Sequence, residues 1–285
     1  MAPQSAGPQF VRIDGVPLHV RREGAGPVCV LSGGLGSSWF DWDLVVPLLS
    51  PYRTVVRFDR PGLGLSAPSP PAPTAAGEAE RIRRVLDALG LPGPCTLAGH
   101  SLAAFHVEAF ARLHPGRTAG LVLLDGSFEP DPSPLPAPAL RDLTARTAAG
   151  AATALAVPYL LGPAARRLAA RESTVCGEDL APAALVRRCY RTGRSLRAAL
   201  RENTSYLDVA AELAELRRTA PLPDAPVIVL AADDGRDDPG THRWLARQRT
   251  LAGLLGAEFR TAAPAGHLLM FDRPDSVARA VLDSA

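Results

Sequence analysis

Lysine is absent from this sequence, in which all 31 basic residues are arginine. Because 29 acidic residues nearly balance them, the net charge is only +2. A nucleic-acid-binding surface would mix lysine with arginine in a basic cluster. The arginine bias, together with abundant alanine and proline, is typical of a GC-rich coding sequence instead. We therefore predict no nucleic-acid partner.

Cysteine is scarce, and the four residues lack the CxxC or Cys/His spacing of a metal site. They are Cys29, Cys95, Cys176 and Cys189. Cys29 and Cys95 fall inside predicted strands, where small buried thiols are the simplest interpretation. Cys176 and Cys189 are free to pair, although nothing in the sequence requires it. We predict neither a metal site nor a cofactor.

Long apolar runs are missing as well. No stretch approaches the roughly 20 apolar residues that cross a bilayer. The first ten residues, MAPQSAGPQF, carry neither the basic flank nor the apolar segment of a secretory signal. We therefore expect a cytoplasmic protein without a membrane partner.

The chain does contain a steady alternation of strand and helix patterns. Its 285 residues, 47% of them apolar, suffice for one large α/β domain that buries roughly 75% of its unfolded surface. Apolar runs at 27–31, 119–126 and 225–232 are typical of buried strands, and residues 75–91 have helical spacing. Asp14-Gly15 predicts a hairpin turn. The alternation predicts an α/β fold with a mostly parallel sheet and helices on both faces.

The alternation stops after Gly126. The stretch SFEPDPSPLPAPAL is too rich in proline for regular structure, and residues 139–219 contain helical patterns without a convincing strand. We therefore predict a core domain formed by residues 1–126 and 221–285. Residues 127–220, called the insertion below, are predicted to form a helical cap on that core.

A serine interrupts the apolar segment LAGHSLAAF at residues 97–105. A nucleophilic serine needs a sharp strand-to-helix turn, which exposes Oγ and places helix N–H groups beside it. Gly99 and Ala103, two residues before and after Ser101, are small enough to let strand and helix approach. In the simpler alternative, Ser101 only caps the helix. The strand before it and the helix after it favour the nucleophile.

Four motifs, in order along the chain, resemble those of the α/β-hydrolase superfamily. They are SGGLGSS (32–38), DRPGLGLS (59–66), GHSLA (99–103) and AGHLLMFDRPDSV (265–277). The sequence departs from the family at Ser32, where histidine is usual, although this leaves the backbone donors of the loop unchanged. The resemblance implies an α/β-hydrolase fold with a helical cap insertion, and an esterase-like enzyme with a catalytic triad. A dehalogenase is disfavoured because its nucleophile is a carboxylate.

One of six histidines stands apart from the others, which have structural explanations. The six are His19, His100, His106, His114, His242 and His267. His267 follows a short predicted strand and a glycine near the C-terminus, which is where a general base on a turn belongs. We predict that it takes the proton of Ser101 Oγ and returns it to the leaving group.

The oxyanion donors are predicted to be backbone N–H groups of Leu102, just after the nucleophile, and of Gly34 in the glycine loop. The glycines of this loop could instead be simple turn glycines or form a phosphate-binding loop; they are Gly33, Gly34 and Gly36. The loop lacks the Lys-Ser/Thr ending of a P-loop, so nucleotide binding is disfavoured.

The triad acid is ambiguous in the sequence. Most of the superfamily places it after the strand that here reads VIVLAADDG, and counting from Ala232 puts Gly235 at that site. Asp234 lies one residue early, whereas Asp237 and Asp238 come two and three residues late. None of these fits without a shift of the loop.

An earlier strand offers the other candidate. Asp125 ends GLVLLDG, and branches such as the haloalkane dehalogenases and pancreatic-type lipases carry their acid there. In the simpler alternative, this aspartate only caps the end of the strand. We prefer Asp125 over Asp234, and both over Asp237 and Asp238.

These residues together predict a serine hydrolase that acts through an acyl-enzyme on Ser101. Because the insertion is mostly Ala, Leu, Val and Arg, with Tyr159, Tyr190 and Tyr206, we expect a small apolar or aromatic ester, thioester or lactone. Four arginines of the insertion either form a solvated helix face or contact a substrate carboxylate; they are Arg187, Arg188, Arg191 and Arg194.

Two alternatives to the serine hydrolase remain open. One is a same-fold cyclase, lyase or C–C hydrolase in secondary metabolism, and the other is a non-catalytic small-molecule receptor. The partner is in each case a small molecule, and the protein is expected to be a monomer or homodimer.

Overall fold

A computed structural model describes residues 9–284, in which a central sheet carries helices on both faces. The strands are β1 (Gln9–Ile13), β2 (Val16–Glu23), β3 (Val28–Ser32), β4 (Thr54–Phe58), β5 (Cys95–His100), β6 (Thr118–Leu124), β7 (Val227–Ala232) and β8 (Glu258–Ala262). The helices are α1 (Val46–Leu49), α2 (Ala75–Ala88), α3 (Ala103–Leu113), α4 (Pro138–Ala154), α5 (Val157–Glu172), α6 (Ala183–Tyr190), α7 (Gly193–Thr219), α8 (Pro239–Leu255), α9 (Leu269–Asp272) and α10 (Pro274–Asp283). The expectation about a secretory signal falls largely on residues 1–8, which lie outside the described residues.

The strands follow the order β1-β2-β4-β3-β5-β6-β7-β8. β1 and β2 form the hairpin predicted at Asp14-Gly15, and β2 pairs antiparallel with β4. From β4 to β8 every neighbouring pair is parallel, which confirms the predicted mostly parallel sheet. The carboxyl ends of β5, β6 and β7 therefore lie side by side at one edge. This brings the residues that follow β5 and β6 together.

Both faces of the parallel strands are buried, which explains why their sequences are apolar throughout rather than alternating. On β5, Leu97 belongs to the apolar cluster that includes residues of α2 and α3, whereas its neighbour Ala98 belongs to the cluster that includes residues of α1 and α10. Both side chains are fully buried. The edge that carries the candidate site is thus anchored by apolar packing from two sides.

The segment between β6 and β7 contains the helices α4 to α7 and no strand among the described residues, as its sequence predicted. The proline-rich stretch 127–137 before α4 forms neither helix nor strand. Within residues 9–284, no single helix is long and apolar enough to cross a membrane; α4 and α5, which meet at 107°, reach that length and composition only when taken as a bent pair.

Some local features were not anticipated from the sequence. The 3-10 helix Trp39–Trp42, α1 and α9 each span four residues, which is too short to show a helical period. The cysteines follow the simplest interpretation: Cys29 and Cys95 are buried free thiols in β3 and β5, and no disulfide forms among the described residues.

Candidate active site

Ser101 occupies the turn between β5 and α3. Its φ is +52°, a left-handed conformation that residues other than glycine seldom adopt, as expected for a nucleophile on a strained strand-to-helix turn. A Cβ at Gly99 would lie 2.5 Å from the Ala103 carbonyl oxygen and 2.5 Å from Val107, so only glycine fits at this position. The close approach of β5 and α3 thus depends on Gly99, while an alanine is accommodated at 103.

The side chains of Ser101, His267 and Asp125 form a continuous hydrogen-bonded chain. His267 Nε2 lies 3.0 Å from Ser101 Oγ, and His267 Nδ1 lies 2.6 Å from Asp125 Oδ2. In the tautomer that this arrangement favours, Nδ1–H donates to the carboxylate and Nε2 accepts from the serine hydroxyl. The structure therefore brings together three residues that are up to 166 positions apart in the sequence.

Contacts to the backbone hold the loop of His267 in place. The neutral His100 ring donates from Nε2 to the His267 carbonyl oxygen at 2.8 Å. Burial lowers the pKa of His100 well below its usual value, so this donor carries no charge. Asp272 accepts from the Gly266 N–H at 2.8 Å, and the Ser173 carbonyl of the insertion accepts from the Leu268 N–H at 2.8 Å.

Asp125 lies directly after β6, with φ +45° and a side chain that is 2% exposed. Its Oδ1 accepts from the Ala232 N–H at 2.9 Å and from the Trp244 indole N–H at 2.7 Å. These two donors leave Oδ2 to His267. Trp244 was missed in the sequence because it lies on α8, 119 residues from Asp125, and a tryptophan in an amphipathic helix gives no signal of such a contact.

The other candidate acids have partners elsewhere. Asp234 accepts from the Arg236 N–H and the Thr241 hydroxyl, each at 3.0 Å. Asp237 pairs with His242 at 3.1 Å, and Asp238 caps α8 by accepting from N–H groups of its first turn. Those backbone N–H groups also lower the pKa of Asp238. Of the four aspartates, only Asp125 contacts His267.

The two expected oxyanion donors flank Ser101. Leu102 follows it in the chain, and Gly34 is so close that a Cβ there would lie 3.0 Å from the Ser101 Cβ and 2.9 Å from His100 Nδ1. Among the hydrogen bonds of residues 9–284, neither the Gly34 nor the Leu102 N–H donates to a protein acceptor. Both amides are thus available to a ligand at Ser101.

A cavity of about 540 Å³ opens beside Ser101 and His267. Its wall is mainly apolar and comes largely from the insertion, including Val157, Leu161 and Ala165 of α5 and Leu196 and Ala199 of α7. Such a volume suits a small organic molecule.

Arg166 is the cation in this wall, and two carboxylates neutralise it. Its guanidinium lies 2.7 Å from Asp41 and 3.6 Å from Asp179. Burial alone would lower the pKa of Arg166, but the acidic groups around it, Asp41 foremost with Tyr190 and Asp179, together raise it. The cavity therefore offers no unpaired positive charge at Arg166 to a substrate carboxylate.

The aromatic residues expected in the insertion are only partly in the cavity. Tyr190 lines it, whereas Tyr159 is 57% exposed and Tyr206 donates to Glu129. Three of the four arginines, Arg187, Arg188 and Arg191, are exposed, which favours the solvated face. Arg194 donates to the Gly64 carbonyl at 2.6 Å instead.

Comparisons with known proteins agree with this architecture. The model described as "Alpha/beta hydrolase family" matches residues 28–280. The chain is 36% identical over 126 residues to RutD of Caulobacter vibrioides, whose name describes a carbamate hydrolase; the match covers 42% of this chain and 45% of RutD. The chain thus spans less than half the length of the curated relatives it matches.

Solved structures share the fold over nearly the whole chain. Cfl2 from Burkholderia cenocepacia has a TM-score of 0.76 at 24% identity, with 97% of this chain and 94% of that chain covered. An enol-lactonase from Burkholderia xenovorans LB400 has a TM-score of 0.66 at 22% identity, with 96% and 98% covered. At these identities the likeness establishes a common fold.

Proposed function

Because the chain belongs to the alpha/beta hydrolase family, we propose that it is a serine hydrolase with Ser101 as nucleophile, His267 as general base and Asp125 as the orienting acid. The observation that carries this proposal is the hydrogen-bonded chain from Asp125 Oδ2 through the His267 ring to Ser101 Oγ, at 2.6 and 3.0 Å. Each distance is within the range in which a proton is shared or passed.

The reaction follows from these positions. Ser101 Oγ attacks the acyl carbon while its proton passes to His267 Nε2, and Asp125 stabilises the resulting imidazolium. The N–H groups of Gly34 and Leu102 bind the oxyanion of the tetrahedral intermediate. The imidazolium returns the proton to the leaving group, which departs and leaves an acyl-enzyme. Water then attacks the ester, giving up one proton to His267, and the free acid and Ser101 are regenerated.

The cavity supports an apolar acyl group as the substrate class. Aliphatic side chains of α5 and α7 form its wall, and Arg166 is already paired with two carboxylates. We propose a small apolar or aromatic ester, thioester or lactone, with the insertion acting as a cap on the core. The enol-lactonase named above shares this fold, and a lactone is included on that ground as well.

Labelling with a fluorophosphonate probe tests the nucleophile and base. We expect the intact protein to gain one phosphonyl group at neutral pH, on the peptide that contains Ser101. The variant Ser173→Ala is the matched control, because Ser173 lines the same cavity and contributes only its backbone carbonyl to the histidine loop. Ser101→Ala should abolish labelling, and His267→Ala should slow it by about 10² or more.

Two outcomes contradict the proposal. Failure of the intact protein to react would reject the serine hydrolase and favour a receptor, especially if apolar esters still bind. Labelling that survives Ser101→Ala would place the reactive group elsewhere.

A further inference from the structure

Side chains of the insertion hold the glycine loop, residues 32–38, which contains Gly34. Glu202 of α7 accepts from the Gly36 N–H at 2.9 Å through Oε2. Tyr190, the last residue of α6, donates its hydroxyl to the Gly36 carbonyl at 2.9 Å. Two helices of the insertion thus bind both polar groups of a single loop residue.

Arg60 of the core joins the same loop to the same carboxylate. Its Nε and Nη2 donate to the two oxygens of Glu202, at 2.6 and 3.0 Å. Nη2 also donates to the Gly34 carbonyl at 2.6 Å, and Nη1 donates to the Gly33 carbonyl. The planar guanidinium therefore fixes the loop carbonyls relative to Glu202.

The pair is buried, since the side chains of Arg60 and Glu202 are 5% and 6% exposed. Burial alone would lower the pKa of Arg60, but the carboxylates around it, Glu202 foremost with Glu78 and Asp59, together raise it. A buried pair of this kind is weak evidence for stability, and its best-attested use is to fix one arrangement among several. The loop around Gly33, Gly34 and Gly36 needs such fixing, because glycines leave the backbone with many accessible conformations.

We propose that Glu202 is a positioning residue that sets the oxyanion site from the insertion. It holds Arg60 and the Gly36 N–H, and through them it keeps the Gly34 N–H where the oxyanion forms. This inference rests on the proposed function, in which Gly34 is an oxyanion donor. Docking of α7 and formation of the oxyanion site are consequently one event, so the cap contributes to the chemical step as well as to the cavity wall.

The substitution Glu202→Gln tests this role with little change in shape. The carboxylate accepts three hydrogen bonds through two oxygens, whereas an amide has one oxygen and would turn its NH₂ group toward a donor. With p-nitrophenyl butyrate as substrate, we expect kcat to fall on the order of 10², because loss of one oxyanion donor costs about 10²–10³. KM should change less than threefold, since the apolar wall is intact.

A tetrahedral inhibitor separates positioning from general damage. Phenylboronic acid forms an oxyanion mimic on a nucleophilic serine, so its affinity should fall in parallel with kcat in Glu202→Gln. The control is Asp142→Asn, which disturbs a contact between α4 and α7 away from the glycine loop. Asp142 pairs at 2.5 Å with Arg201, which donates to the carbonyls of Ser69 and Pro70 and not to the glycine loop. This variant should retain kcat and boronate affinity within threefold.

The double variant Arg60→Met with Glu202→Met covers the case in which an unpaired Arg60 prevents folding. Replacing a buried pair with apolar residues of similar volume generally preserves folding. We expect this variant to fold, to bind butyrate esters and to share the kcat defect. If both Glu202 variants keep the kcat and the boronate affinity of the intact protein, and Ser101 is still labelled, the inference is overturned. Absence of labelling in the intact protein would instead reject the proposed function.

Discussion

The strands that lead to Ser101 and Asp125 differ from the insertion in how far their apolar residues are buried. Leu97 and Leu123, in the strands that lead to these two residues, are fully buried. In the insertion, Leu155 is 74% exposed and Leu160 is 66% exposed, both at or near the start of α5. Helices α5 and α7 nevertheless provide much of the cavity wall.

Under the proposed function, this difference assigns separate tasks to the two regions. A reacting serine and its acid need positions held to a fraction of an ångström, and strands packed on both faces supply that rigidity. Recognition of an apolar group needs shape and little directional bonding, so helices with a partly exposed surface suffice. Four pairs of substitutions test this difference, in order of decreasing expected effect.

The substitution Asp125→Asn tests the sheet side of the site. We expect kcat to fall by about 10⁴, because the amide no longer holds His267 in the required tautomer. Steady-state hydrolysis of p-nitrophenyl butyrate measures this. Asp234→Asn is the control, since Asp234 bonds to Arg236 and Thr241, and it should cost less than threefold. A loss below tenfold in Asp125→Asn would reject Asp125 as the acid.

The stability contrast is tested by truncating one leucine in each region. Leu97→Ala should lower the free energy of unfolding by about 2–5 kcal/mol, because it leaves a cavity in the core. Leu160→Ala should change the unfolding free energy by no more than about 0.5 kcal/mol, since Leu160 is largely exposed. Urea denaturation measures both. Equal losses would show that the insertion is as tightly packed in solution as the sheet.

Two neighbouring alanines of α5 distinguish the inner face of the insertion from its outer face. Ala165 lines the cavity, whereas Ala164 is exposed and lies outside its wall. Ala165→Trp should lower kcat/KM for an octanoate ester about tenfold or more and leave an acetate ester nearly unchanged. Ala164→Trp should affect neither ester. The assignment of the acyl site to this cavity fails if both variants discriminate equally.

The smallest effect is expected at Trp244, which supports Asp125 from α8. Trp244→Phe removes one N–H donor, while the Ala232 N–H continues to orient the carboxylate. We expect kcat to fall about five- to tenfold with an unchanged unfolding midpoint. Thr241 lies on the same helix as Trp244, and Thr241→Val, which removes a hydrogen-bond donor to Asp234, serves as the control. Identical activity in both variants would show that the indole contact does not contribute.

The sequence predicted those parts of the molecule that depend on short-range pattern. The Asp14-Gly15 hairpin, the buried parallel strands and the all-helical insertion each follow from turn chemistry or apolar spacing within about 20 residues. Ser101 and His267 could also be singled out as candidates, because each stands in a motif of several residues.

Features that depend on contacts between distant segments were not predictable in the same way. The choice among four aspartates required knowing which one faces His267, and counting along one loop does not give that. Trp244 and Glu202 act through partners that are 119 and 142 residues away, and neither stands in a motif. Alanine, leucine and arginine dominate the insertion, so composition alone did not separate Tyr190 in the cavity from Tyr159 outside it.

The buried pair of Arg60 and Glu202 also restricts how this protein can be recombined with its relatives. One member belongs to the core and the other to the insertion, 142 residues later. A chimaera that receives a foreign insertion with a neutral residue at position 202 would keep a guanidinium without its counter-ion, at a cost of about 3–5 kcal/mol. Substrate preference can therefore be transplanted by exchanging helices only if both positions are inherited together.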